Sequence, residues 1–177
     1  MYKRQFLAAA KKHFPPSGTI PPEIFFSEPQ YNTWIELQRD QNQKGIEKYA
    51  DDIIKNKFPI GVFMIDGGWQ KYQGNYEFRP EAFTDPKAMF DKINGMGFKT
   101  LLWVGPFVAP DSAEYRDLKS KGLLIMRKSR KSPGILHWWS GYSAAYDLTK
   151  PEAAESLKGT LRDMPVSYTH LTLPTNS

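Results

Sequence analysis

The sequence predicts an α/β protein with parallel strands, and three observations carry that prediction. Phe58 to Ile65 is an apolar run rich in β-branched residues that stops abruptly at Asp66-Gly67-Gly68-Trp69, the pattern of a buried strand surfacing at a working face. Phe98 to Val104 is a second such run, broken by Gly105-Pro106. Between them, Asp85-Pro86 supplies a helix start, a capping carboxylate followed by proline at the first helical position. Strand, helix and strand joined by short links form a βαβ unit, so the two strands run parallel.

The remaining elements follow in chain order. Residues 1–30 carry Pro15-Pro16, Ser17-Gly18, Pro21-Pro22 and Pro29, a lead-in that permits one short helix at Tyr2 to His13 and no long element after it. Tyr31 to Leu37 alternates aromatic and β-branched positions and reads as a first strand, with Trp34 in the core. After Asn42-Gln43-Lys44-Gly45, the residues Ile46, Tyr49, Ala50, Ile53 and Ile54 fall on one stripe of a helix that closes at Asn56-Lys57. Pro59 can only start the strand that follows, because it has no N–H for a central ladder. Gln70 to Phe83 is an aromatic, polar excursion. The helix capped by Asp85 is expected to bury Ala88, Met89, Ile93 and Met96 and to end at Gly95 and Gly97. Asp111-Ser112 caps a short helix carrying Tyr115 and Leu118, stopped by Gly122. Then come the basic stretch Arg127-Lys128-Ser129-Arg130-Lys131, the aromatic stretch Leu136 to Ser143, and a last helix opened by Asp147 to Pro151, with Ala154, Leu157 and Leu161 on one face. No internal repeat is evident.

Composition narrows the function classes. The 177 residues are 40% hydrophobic, enough for one domain core and not for two. There is no cysteine, and the three histidines are far apart in the chain, so no metal or redox constellation and no cofactor is suggested. The formal charge is +5, and the basic stretch lacks the aromatic interleaving of a nucleic-acid surface, so it reads as a solvated loop and no nucleic-acid partner is expected. Phe6 to Ala10 is too short for a secretory apolar segment, Lys11-Lys12 interrupts it, and nothing approaches a membrane span. Compartment and oligomeric state have no recognisable signal.

In parallel α/β proteins, functional residues sit at the carboxyl ends of strands, where loops converge. Asp66, Trp69, Phe107 and Trp138-Trp139 all follow candidate strand ends. A carboxylate with indoles suits sugar binding, because a pyranose C–H face stacks on an aromatic plane while its hydroxyls need charged acceptors. Residue types alone leave Asp66 open as a turn former and Trp34, Trp69, Trp103 and Trp139 open as core.

Longer segments resolve this further. Pro29 to Leu37, Asn42-Gln43, Met64-Ile65-Asp66-Gly67-Gly68-Trp69-Gln70, Phe83 to Met89, Gly97-Phe98-Lys99, Trp103 to Ser112 and Trp139 to Pro151 together resemble glycoside hydrolase family 31, in order, over about Phe14 to Met164. The resemblance implies a (β/α)8 TIM barrel that hydrolyses α-linked glucosides, xylosides, galactosides or sulfoquinovosides with retention, using two carboxylates about 5 Å apart as nucleophile and acid/base. It implies a carbohydrate substrate as partner. Asp66 matches the family carboxylate after the second barrel strand, which accepts hydrogen bonds from hydroxyls of the nonreducing sugar, and Trp139 matches an indole of the same subsite. Trp69 and Trp103 lie in matching segments and complete the expected substrate-binding set. Gly67 stands where many relatives carry a second Asp, and Lys150 where an Asn- or Gln-like cap is usual.

The family's nucleophile lies in an Asp-Gly-Phe-Lys-Phe-Asp-like strand shortly after the helix bearing Leu157 and Leu161, and this chain has no such strand. Val166 to Thr175 looks instead like a translated sequencing adapter. The expectation is a partial barrel: a Pro-rich lead-in at 1–30, the first three βα units at 31–164, and a non-native tail at 165–177. Both catalytic carboxylates would then lie beyond the truncation, the chain by itself would be inactive, and its beginning too could be cut. Alternatives are a fragment of an α-galactosidase of a related barrel family, which shares an Ile-Asp-x-Gly-Trp-Gln turn, a noncatalytic carbohydrate-binding module, and a complete small α/β domain.

Overall fold

The computed structural model describes residues 2–13, 15, 18, 20–129 and 131–168. It opens with the expected helix α1 (Tyr2–His13) and a one-turn helix α2 (Ile24–Ser27). Next come β1 (Gln30–Asn32), α3 (Trp34–Leu37), α4 (Gln43–Lys55), β2 (Val62–Ile65), α5 (Pro86–Gly95) and β3 (Lys99–Leu102). The three strands form one parallel sheet in chain order, with Gln30 opposite Val62 and Val62 opposite Lys99. The parallel arrangement expected from the βαβ pattern is therefore present, with helices on the crossovers.

Both crossover helices begin where their capping residues place them. Asn42 Oδ1 accepts the Gly45 N–H at 2.8 Å, and Asp85 Oδ1 accepts the Ala88 N–H at 2.9 Å, each satisfying a backbone donor that the first turn leaves free. α4 buries Ile46, Ala50 and Ile53, and α5 buries Met89, Phe90 and Ile93. Ala88, expected inside, is exposed and Met96 only half-buried, because the buried stripe of α5 runs through Phe90. Against these helices β2 presents Phe63, whose ring lies 5.5 Å from those of both Tyr49 and Phe98. Each such fully buried side chain contributes about 1.5–3 kcal/mol.

The expected strand at Tyr31 to Leu37 is only half right. The strand ends at Asn32, whose Oδ1 accepts the Trp34 N–H at 2.8 Å, and Thr33 is already in the helical region. This side-chain turn diverts the backbone into α3. Ile35 is consequently 78% exposed, and Trp34 is half-buried instead of in the core. β2 also starts later than the apolar run does, leaving Phe58 and Ile60 exposed.

The second half departs from the parallel pattern. β4 (Phe107–Val108), β5 (Leu136–Trp138) and β6 (Gly141–Ala145) form a small antiparallel sheet in the order β4-β6-β5, with β5 and β6 as a hairpin turning at Trp139-Ser140. α6 (Ala113–Ser120) is capped by Ser112 Oγ, which accepts the Tyr115 N–H at 3.0 Å, and buries Leu118. Arg127, Lys128, Ser129 and Lys131 are exposed, as a solvated loop requires, and Arg130 lies outside the described residues. α7 (Pro151–Tyr168) packs Leu157, Leu161 and Met164 against the main core. Most of the segment that looks like adapter sequence falls in residues 169–177, outside the described residues. No helix among the described residues is long and apolar enough to cross a membrane.

Candidate functional site

β2 delivers Asp66 to the carboxyl end of the parallel sheet, as the sequence predicts. Its backbone N–H donates to Thr33 Oγ1 at 2.9 Å, and its Oδ1 accepts the Gly67 N–H at 2.6 Å. The carboxylate is half-buried, and among the described residues its Oδ2 has no donor. Gly68 turns the chain at φ +103°, and a Cβ there would stand 3.3 Å from Gln41 Cγ. Glycine is therefore required at this corner.

The three tryptophans of the expected substrate-binding set, Trp69, Trp103 and Trp139, separate into different roles. Trp69 is fully buried, its Nε1 donating to Trp103 O at 2.8 Å and its ring 4.7 Å from Phe78. It belongs to the core and offers no face to a ligand. Trp103 is half-buried and lies on Gly67, where a Cβ would stand 3.2 Å from Trp103 Cε3. Trp139, at the hairpin turn, is 54% exposed. Its ring meets those of Trp34 at 5.3 Å, Trp138 at 5.1 Å and Trp103 at 6.3 Å, all edge to face, the arrangement aromatic quadrupoles favour. Trp138 in turn stacks on Phe107 at 4.1 Å and donates from Nε1 to Ser143 Oγ at 3.1 Å.

An open cleft of about 320 Å³ lies between the β2 turn and the hairpin, lined among others by Trp34, Arg39, Gly67, Gln70, Trp139 and Tyr142. No carboxylate among the described residues lines it. Asp66 immediately precedes the lining residue Gly67. Arg39 Nη2 donates to Trp139 O at 3.0 Å, so the segment after α3 is tied to a hairpin one hundred residues further along. Buried acceptors Gln70 Oε1 and Gln73 Oε1, on residues of the same cleft, have no donor among the described residues.

Sequence reading missed Arg39, Gln70, Gln73 and Tyr142 as lining residues and Trp34 as a wall. Arg39 and Gln73 have no periodicity or motif to separate them from ordinary surface, and Tyr142 lies in a segment of the family resemblance that gave it no role of its own. Trp34 was hidden by an apparent strand alternation, and only the Asn32-Thr33 pair, favourable to a local turn, pointed elsewhere.

Comparison with known proteins bears on this arrangement. The model of the glycosyl hydrolases family 31 TIM-barrel domain matches residues 20–171, most of the chain. The chain belongs to glycoside hydrolase family 31. Among curated family 31 relatives, the mouse (Mus musculus) myogenesis-regulating glycosidase is 27% identical over 158 residues, covering 89% of this chain and 22% of that protein. The α-xylosidase XylQ of Lactiplantibacillus pentosus is 28% identical over 131 residues, covering 71% of this chain and 17% of that protein. The family 31 dextranase of Flavobacterium johnsoniae, solved in complex with glucose, superposes with a TM-score of 0.74 at 20% identity, over 85% of this chain and 18% of that one. The three-stranded parallel sheet with its helices is thus part of a family 31 TIM barrel, and the chain spans about a fifth of the length of these curated relatives.

Proposed function

We propose that this chain forms the sugar-recognising part of a retaining α-glycosidase barrel acting on α-linked glucosides or xylosides. The observation that carries the reading is the half-exposed Trp139 standing across an open cleft from the Asp66 turn at the carboxyl end of the sheet. Asp66 accepts hydrogen bonds from sugar hydroxyls through its free Oδ2, and Trp139 stacks on a C–H face of the ring. Trp103 supports Trp139 from behind, and Trp69 holds Trp103 from the core. The substrate class is supported by the named activities of the relatives, an α-xylosidase and a dextranase among them.

Cleavage with retention needs two carboxylates about 5 Å apart, and no carboxylate among the described residues lines this cleft. The chain therefore holds one side of the sugar, and by itself it does not hydrolyse glycosides. The test is made with the chain joined to the remainder of its barrel and assayed on aryl α-glucosides and aryl α-xylosides. Asp66→Ala lowers kcat/KM by roughly 10²-fold if its bonds to the hydroxyls strengthen in the transition state. An unchanged value reduces Asp66 to a turn residue, and turnover by the 177-residue chain alone overturns the division of labour.

A further inference from the structure

Thr33 and Gln41 are both completely buried although both are polar, and their side-chain hydrogen bonds link the backbone of Asp66 to that of Gln38. The Thr33 hydroxyl donates to Gln41 Oε1 at 2.7 Å and accepts the Asp66 N–H at 2.9 Å. Gln41 Nε2 donates to Gln38 O at 2.8 Å. A carbonyl oxygen can only accept, so this bond fixes which end of the Gln41 amide faces Thr33, and hence where the Thr33 proton goes. The Thr33 lone pair is left directed at Asp66.

The far end of the turn is gripped as well. Arg79 donates from Nε to Gly68 O at 3.0 Å and from Nη2 to Gln41 O at 2.9 Å. Asp66 N and Gly68 O are thus held by groups that both converge on Gln41. Gln38 adopts φ +49°, a left-handed conformation that costs free energy in a residue with a side chain, and its carbonyl is a bond partner in the network. Charge-assisted and water-excluded bonds of this kind hold geometry more firmly than exposed ones. None of the three side chains lines the cleft, so whatever they contribute to ligand binding passes through the Asp66-Gly67-Gly68 turn that they hold.

We propose that Thr33 and Gln41, closed off by Arg79, are positioning residues that hold the backbone of the Asp66 turn, and with it the start of the Asp66 side chain, beside the cleft. The inference rests on the sugar-binding role proposed for Asp66. Its test is hydrogen exchange measured by NMR on the 177-residue chain, followed by titration with methyl α-D-glucopyranoside and methyl α-D-xylopyranoside. Thr33→Val keeps the shape and removes the hydroxyl, and it should speed exchange of the Asp66 amide by about tenfold or more. Amides in α5, such as Met89 and Ile93, should be unmoved. Thr33→Ser should restore slow exchange, and Arg79→Met, at the half-buried end of the network, should give an independent acceleration at Asp66. In the titration, glycosides that shift the Asp66 and Trp139 signals in the parent chain should bind the Thr33→Val chain about tenfold more weakly.

Unchanged Asp66 exchange in Thr33→Val, equal acceleration throughout α5, or failure of Thr33→Ser to restore slow exchange each overturns the inference. If exchange responds as expected and the parent chain shows no shift with either glycoside, the sugar-binding reading fails while the positioning of the turn stands.

Discussion

Trp69 Nε1 donates to the carbonyl oxygen of Trp103 at 2.8 Å, and this bond ties together the two segments that leave the ends of β2 and β3. Trp69 is fully buried against Phe78, so the bond is sealed from water. Trp69→Phe would keep an aromatic ring in place and leave Trp103 O without its donor. The expected loss is about 1–3 kcal/mol, read from urea denaturation of the two chains. Equal midpoints would mean that water or a rearranged donor replaces the indole N–H without cost.

Gly61, immediately before β2, leaves less room for a side chain than any other glycine among the described residues. A Cβ at this position would stand 2.1 Å from Pro29 O, the same carbonyl that accepts the Val62 N–H at 2.9 Å. No flexible side chain can yield here, because the opposing atom is backbone. Gly61→Ala must push β1 and β2 apart, at a cost of about 3 kcal/mol. By contrast, Gly95→Ala meets nothing within 4 Å and should stabilise α5 by about 0.5–1 kcal/mol. Thermal melting of the pair provides the check.

These positions show what was legible in the sequence and what was not. α4 and α5 could be read because their apolar spacing and their caps, Asn42 and Asp85, point to the same boundaries. β1 was misread because Tyr31 to Leu37 alternates like a strand, while the Asn32 side chain redirects the backbone after three residues. The hairpin was invisible for two reasons. Leu136, His137 and Tyr142 are exposed, so no buried alternation marks its strands. Its turn residues, Trp139 and Ser140, have no positive φ, so the Asn-Gly signature of the commonest hairpin turns is absent. Asp66 was found because a carboxylate after an apolar run stands out. Thr33 and Gln41 were not, because buried polar residues carry no pattern until their partners are known. Burial likewise separates Trp69 from Trp139, which are alike as residue types flanked by glycine or serine.

Tyr76 gives the chain a pH dependence of definite sign. Its hydroxyl donates to Gly105 O at 2.9 Å, and burial, with a smaller effect of nearby Tyr146, pushes its pKa well above the ordinary tyrosine value. Burial raises Tyr146 too. A folded-state pKa above the unfolded one means that the folded chain keeps protons that the unfolded chain releases. The associated stability is fully present below about pH 10 and is lost as pH rises beyond it, at up to about 1.4 kcal/mol per pH unit for each group. Tyr76→Phe should cost about 1 kcal/mol at neutral pH, from the lost bond to Gly105 O, and should make the decline above pH 10 shallower. Urea midpoints between pH 8 and pH 11.5 measure both effects. Parallel curves for the two chains would show that Tyr76 ionises in the folded state as readily as in the unfolded one.

Trp139 is where packing and proposed function can be separated most cleanly. Its ring is held edge to face by Trp34, Trp103 and Trp138, and its carbonyl by Arg39, yet it remains 54% exposed. A residue so exposed should cost only about 1 kcal/mol of stability when truncated. If the free face stacks on a sugar, truncation should cost binding as well. In the chain joined to the remainder of its barrel, Trp139→Ala should lower kcat/KM on an aryl α-xyloside by about tenfold, whereas Trp139→Phe retains a ring and should lose less. Arg39→Ala leaves the indole intact while releasing its backbone anchor and removing a side chain that lines the cleft, so its effect should be of the same kind, a raised KM with little change in kcat. Equal losses for Phe and Ala would show that the ring face is not what the substrate meets. A loss in Trp139→Ala that tracks a large fall in melting temperature would place the indole with Trp69, as part of the core.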